Sequence, residues 1–265
     1  MSITEISERL EVMFWEDGAE FGVYLENLNT GEILQMDGDR QFSSAGVVKP
    51  VILAAVFKHA DEGLLSMELE IEVDENRWDI AARGPLSALR PPLHLSVYNL
   101  GFLMSVSDDD LAANCLLDRL DKKNLDDLLQ HWRLRDTVLR RPFSEKVIRD
   151  TAQDNLTTPS DMGRFLGAVY RGELCSEKYC GQMLQMLKKQ RLGQLIYKEL
   201  PDHVEVAHKT GFEKMSVHDA GIVFTDNGDY VISIFSTNVF DHERGLRMLS
   251  RVNNCVFEYW GKQQE

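Results

Sequence analysis

The chain has 265 residues, with 29 Lys and Arg against 43 Asp and Glu, for a formal net charge of −14. That balance argues against a nucleic-acid partner, which calls for a basic surface, and against an anionic membrane surface. At 43% hydrophobic and 27% charged residues, with no run near 18 uninterrupted apolar residues, it reads as a soluble globular protein of one large domain or two intimately joined lobes.

Residues 1–10 are acidic and amphipathic, without the basic and apolar regions of a signal peptide. The expected location is the cytoplasm, or the periplasm or exterior if a leader has been removed. Ile3, Ile6, Leu10, Met13 and Phe14 recur with a helical period. Residues 22–28 read as a strand, Asn29-Thr30-Gly31 as a turn and residues 32–36 as a returning strand, which Asp37-Gly38-Asp39 ends.

Residues 42–56 begin small and polar and then become almost wholly apolar, broken only by Lys49 and Pro50. A helix apolar on nearly every side belongs in the middle of a domain. Pro50 suits its first turn. Lys49 has two readings there: a first-turn lysine reaching out to solvent, or a catalytic amine whose pKa burial and neighbours adjust.

The pattern then stays mostly helical to about residue 200. The stretch from Leu64 to Glu72 and the segment around Trp78 have some extended character. Pro85, Pro91 and Pro92 mark a loop-rich region. Helices are expected from Ser96, a candidate N-cap, and over 112–120, 125–132, 158–170 and 179–189. Residues 140–158 form a long loop, and loops of that length in compact domains are usually functional. After Pro201 strands return over 204–208, 220–224 and 230–236. Asp226-Asn227-Gly228-Asp229 is a hairpin turn between the last two. A helix over 241–260 closes the chain.

This order predicts an α/β plus all-α fold: one antiparallel sheet flanked by the N- and C-terminal helices, with a helical lobe inserted between its two strand groups. In domain terms residues 1–265 are one unit, with an α/β lobe of 1–40 and 203–265 and an all-helical lobe of 41–202. Cys115, Cys175, Cys180 and Cys255 form no CxxC pair and read as packed thiols. No metal-ligand spacing, H-E-x-x-H or Ser-His-Asp spacing is visible, so no metal or cofactor is expected.

Two further motifs join Lys49. Lys209-Thr210-Gly211 ends a predicted strand, where a lysine and a hydroxyl can hold a carboxylate and glycine admits a ligand close to the backbone. Residues 106–114 place Ser107 and three aspartates before a helix containing Asn114. Helix capping alone would explain the aspartates, and a structural hydrogen bond would explain Asn114.

Taken together and in this order, the motifs resemble those of the class A β-lactamases and penicillin-binding serine hydrolases: S-x-x-K, S-D-N and K-T-G. The resemblance covers nearly the whole chain. It implies a β-lactamase/transpeptidase-like fold and a small-molecule acyl partner such as a β-lactam, with stem peptides and esters also open.

Three departures stand out. The nucleophile position, three residues before Lys49, is Gly46, which has no side chain to acylate. Ser44 lies five residues before Lys49, about 140° away around a helix. Ser107-Asp108-Asp109 matches S-D-N with a carboxylate for the amide, and this register, with Ser107 as the proton carrier, is preferred. Counting back from Asn114 gives Asp108-Asp109-Asp110 instead. Where the β-lactamases carry a water-activating glutamate, chain length places Phe143, and the nearest carboxylates are Glu145, Asp150 and Asp154.

The resemblance thus assigns Gly46 to the nucleophile position, Lys49 to base or proton shuttle and Ser107 to proton transfer. Asp109, Lys209, Thr210 and Gly211 become the substrate-binding set. Two functions stay open: a serine hydrolase whose nucleophile is missing, or a non-catalytic relative that binds a ligand or a protein.

Overall fold

The computed structural model describes residues 3–73, 82–144, 151–190, 192 and 196–262. Trp78, Glu145 and Asp150 lie outside these residues.

Five strands, β1 (Glu20–Asn27), β2 (Ile33–Met36), β7 (Glu205–Glu213), β8 (Ser216–Phe224) and β9 (Tyr230–Thr237), form the main sheet. It is antiparallel throughout and runs in the order β2-β1-β9-β8-β7. Side chains alternate across a strand, so each strand supplies both faces. Val23, Leu25, Ile232 and Ile234 turn to one side, where α1 (Ile3–Asp17) and α8 (His242–Val256) cover them. Tyr24, Ala220, Ile222, Val231 and Phe235 join the larger core formed with the helices of the chain's middle. The two strand groups therefore meet in one sheet with the terminal helices on one face, as the sequence order implies.

The middle of the chain carries α2 (Lys49–Asp61), α3 (Val97–Ser107), α4 (Asp110–Leu117), α5 (Lys122–His131), α6 (Pro159–Arg171) and α7 (Glu177–Lys188). Every residue of α2 from Lys49 to Phe57 is buried. Its first turn contains Pro50, whose missing N–H would have no intrahelical partner there. Ser96 caps α3 by accepting from the Asn99 amide at 3.2 Å. Thr158 caps α6, accepting from the Asp161 amide at 3.0 Å. Among the described residues, no helix is long and apolar enough to cross a membrane.

Two small ladders are absent from the sequence reading. Strands β4 (Glu70–Val73) and β5 (Leu93–Ser96) pair antiparallel, and β3 (Phe42–Ser43) pairs with β6 (Leu156–Thr157). Strand β7 also runs well past residue 208, so Lys209-Thr210-Gly211 lies inside the strand rather than at its end. The reason is its partner: β7 and β8 stay in register from Glu205–Phe224 through Glu213–Ser216, which carries the ladder beyond the alternating segment.

Candidate functional site

The site forms where three chain segments converge: the entry to α2, the α3–α4 junction and the middle of β7. Strand β3 leads into Ala45, whose φ of 44° turns the chain into a single 3-10 turn, Ala45–Val48, ahead of α2. Val47 and Val48 are fully buried, which anchors that turn. Strand β7 packs directly on it. A Cβ on Gly211 would lie 3.1 Å from both Ala45 Cβ and the Val47 amide nitrogen, so glycine is what permits this approach.

At the α3–α4 junction, Asp108 adopts the left-handed conformation, with φ of 55° and ψ of 31°. Aspartate tolerates that region better than most residues. It ends α3 at Ser107 and lets Asp109 begin α4 as its N-cap. The Asp108 carboxylate is thereby aimed between two fully buried lysines. Its Oδ1 accepts from Lys49 Nζ at 2.9 Å and from Lys209 Nζ at 2.6 Å. Lys49 also donates to Asp110 Oδ1 and to the Asp108 carbonyl, both at 2.7 Å. Lys209 donates in addition to the Thr210 carbonyl at 2.9 Å. Two cations and two carboxylates thus form one closed cluster.

The electrostatics follow from that geometry. Burial would raise the Asp108 pKa, but Lys209 and Lys49 together bring it down to about 2. Burial disfavours the Lys49 ammonium, yet Asp108 and Asp110 outweigh it and the pKa rises. Burial, reinforced by the charge on Lys49, outweighs the Asp108 carboxylate and the weaker pull of Asp219, and leaves the Lys209 pKa lowered.

The sequence-predicted residues come together in part. Gly46, Lys49, Lys209, Thr210 and Gly211 converge. Ser107 does not join the cluster: it is the last residue of α3, and Asp108 stands between the lysines in its place. The geometry therefore favours the Asp108-Asp109-Asp110 register over the one preferred from sequence. Its cause is the left-handed turn at Asp108, which linear spacing does not reveal. Asp109 is not on the cavity side. Its carboxylate accepts from the Ala112 and Leu86 amides, both at 2.8 Å, which makes it a buried cap rather than a substrate contact. Thr210 is fully buried, and its hydroxyl accepts from Gln190 Nε2 at 3.0 Å.

Besides Asp108, to which the preferred register gave no role, sequence reasoning missed four contributors. Asp110 completes the charge cluster. Arg83 closes over it, its amide donating to Asp110 Oδ2 at 2.9 Å and its Nη1 to the Phe212 carbonyl at 2.5 Å. Glu213 lines the cavity, its carboxyl raised by burial. Gln190 supports Thr210. The one available signal was Asp110 in the alternative register, since two converging lysines call for more than one carboxylate.

Asn114 makes the structural bond considered for it. Its amide donates to the Phe143 carbonyl at 2.9 Å and accepts from the Phe143 amide at 2.8 Å. The Phe143 ring faces Lys49 Nζ, 5.1 Å from its centroid. Asp154 is occupied: its carboxylate accepts from Ser43 Oγ at 2.6 Å and from Arg141 Nε at 2.8 Å. The cavity over Gly46 is framed by Arg83, Asp108, Asp110, Arg141 and Phe143 and measures about 30 Å3, space for about two waters. No group of three or more His, Cys, Asp or Glu suited to a metal ion occurs among the described residues.

A buried S-x-x-K-like helix entry, a K-T-G strand and an antiparallel sheet backed by terminal helices define a β-lactamase/transpeptidase-like protein. The model of the beta-lactamase enzyme family matches residues 5–260, and the chain belongs to that family. It is 25% identical to beta-lactamase VEB-1 of Pseudomonas aeruginosa over 268 residues, covering 95% of this chain and 89% of that protein. The crystal structure of a beta-lactamase from Sphaerobacter thermophilus superposes with a TM-score of 0.92 at 24% identity, over 100% of both chains. A point mutant of PBP-A, solved as its acyl-enzyme complex with penicillin G, superposes with a TM-score of 0.88 at 26% identity, over 97% of this chain and 96% of that one.

Proposed function

We propose that this chain is a β-lactamase-family protein that does not form an acyl-enzyme and that acts by binding a ligand or a partner protein. One observation carries the reading: the Asp108 carboxylate occupies the space that a side chain at residue 46 would need. A Cβ built on Gly46 would fall inside the contact distance of Asp108 Oδ1, with Oδ2 at 2.9 Å and Cγ at 3.0 Å. A carboxylate at the end of a free side chain would swing aside. This one is held by two buried ammonium groups, and moving it would leave Lys209 without its carboxylate.

The rest of the site supports the same reading. Acyl transfer needs a nucleophile within reach of a base that can accept its proton. Residue 46 offers none, and Lys49 is held protonated by two carboxylates. The cation that would receive a substrate carboxylate, Lys209, already has an internal one. Arg83 bridges to Phe212 beside the same cavity and narrows it.

A second reading rests on a different observation. Lys49 and Lys209-Thr210-Gly211 keep the positions that a serine hydrolase of this family uses. On that reading Gly46 stands for a lost serine, and the substrate is a β-lactam or a related acyl compound. Acylation by penicillin G, followed by intact mass, and turnover of a chromogenic cephalosporin separate the two. The unmodified chain and Gly46→Ser should both stay unlabelled. The double variant Gly46→Ser with Asp108→Ser, which empties the space and supplies the hydroxyl, should gain a penicilloyl adduct. Labelling of Gly46→Ser alone favours the second reading. Labelling or turnover by the unmodified chain overturns both.

A further inference from the structure

Away from the charge cluster, two thiols face each other at the head of α7. Helix α6 ends at Gly172 in the left-handed conformation, and the chain turns through Leu174 and Cys175 to the N-cap Ser176. Cys175 is the residue before that cap, and Cys180 is the fourth residue of the helix. Those two positions face each other at a helix start, where an apolar pair often packs as a staple. Here both are cysteines, and their sulfurs stand 3.5 Å apart. Cys180 is buried and Cys175 half-buried, so a small oxidant has a way to the pair through Cys175. The turn itself is fixed, since Ser176 Oγ donates to Asp61 at the end of α2 at 2.7 Å and Tyr179 stacks on Phe57 with ring centroids 4.9 Å apart.

We propose that Cys175 and Cys180 form a reversible dithiol–disulfide site, oxidised by hydrogen peroxide or a small hydroperoxide. One sulfur attacks a peroxide oxygen, the O–O bond breaks, and a sulfenic acid forms with release of water, or of the alcohol when a hydroperoxide is the oxidant. The second sulfur then attacks the sulfenic sulfur and expels its hydroxyl as water. Two S–H bonds are lost and one S–S bond is gained. The two electrons given up by the sulfurs reduce the peroxide. The hydrogen bond between the thiols assists the first step, holding Cys180 down to about 6 and Cys175 above its ordinary value. The new bond closes the first turn of α7. The same segment continues to Gln190, the partner of the Thr210 hydroxyl.

The sequence makes the test direct. Lys178 lies between the two cysteines, so trypsin separates them. The folded chain is treated with hydrogen peroxide, free thiols are blocked with iodoacetamide, and the digest is read by mass spectrometry. The expected product is a pair of peptides joined through Cys175 and Cys180, two hydrogens lighter than their sum and released by dithiothreitol. Cys175→Ser and Cys180→Ser should each abolish it. The proposal falls if both thiols remain open to iodoacetamide after peroxide treatment. It falls equally if oxidation ends as a sulfinic acid on Cys175 with Cys180 still reduced, or if either residue pairs instead with Cys115 or Cys255.

Discussion

Replacing Asp108 with asparagine keeps its shape and removes its charge. The consequence can be worked from the cluster. Lys49 would retain Asp110, but Lys209 would be a fully buried ammonium with only the Thr210 carbonyl and a neutral amide for partners. Breaking a buried pair by removing one member costs roughly 3–5 kcal/mol, because the other charge is left uncompensated. The titration of Asp108 gives a lower bound. A carboxyl held at about 2 rather than 3.8 contributes roughly 2 kcal/mol at neutral pH. For a chain of this size a loss of 3–5 kcal/mol lowers the melting temperature by on the order of 10 °C. Urea unfolding at pH 7, with the slope unchanged, measures it. The double variant Asp108→Asn with Lys209→Gln should recover a large part of the loss, since it removes the stranded charge together with its partner. A loss under about 0.5 kcal/mol, within the range of ordinary surface substitutions, would refute the shared-carboxylate account. The sign with pH is also fixed. The folded pKa of Asp108 is depressed, so its contribution is present above about 4 and is lost as pH falls toward about 2. Asp108→Asn should flatten that window.

His218 gives a second window, higher in pH. Burial lowers its pKa from 6.5 to about 4, while its ring nitrogens are engaged by the Ser43 carbonyl and the Ser236 amide. The folded state resists the proton that the unfolded chain accepts, so stability is full above pH 6.5 and falls by roughly 3 kcal/mol as pH drops to about 4. Urea midpoints measured across that range should slope for the unmodified chain and lie nearly level for His218→Asn. Gly211→Ala should destabilise by about 1–3 kcal/mol, because the added methyl presses on Ala45 and on the backbone of the 3-10 turn. A melting temperature equal to that of the unmodified chain would show that β7 and the turn can separate at no cost.

What could be read from sequence, and what could not, divides along one line. The buried helix after Lys49 was legible because few arrangements besides a buried helix produce an apolar run broken by a single lysine. Lys209-Thr210-Gly211 was legible as a motif. The pairing of β1 with β2 and of β8 with β9 followed from two hairpins with clear turn residues, whereas the pairing of β1 with β9 that sets the sheet order did not. The register at 107–110 was misjudged: the run of three aspartates fits two alignments, the Ser107 one was preferred, and the left-handed backbone at Asp108 places that residue, not Ser107, between the lysines. Arg83 and Glu213 reach the site from a proline-rich loop and from a strand end, and neither belongs to a local pattern. Gly46 was legible as the residue three before Lys49, but not the carboxylate standing in its space, which comes from a residue 62 positions further along the chain.

The sheet has two ends, and they are finished differently. Strand β2 has only four residues and offers little to pair with. Strand β7 has nine and, among the described residues, pairs with β8 alone, so a long row of backbone groups lies at the edge, the usual template for an extended peptide to add as another strand. Two contacts occupy that row. The 3-10 turn lies against it at Gly211, and the Arg83 guanidinium takes the carbonyl of Phe212. Arg83 therefore takes one backbone acceptor out of the row that an added strand would use. The side chain that lines the cavity thus also covers part of the sheet's border, so displacing it would expose both.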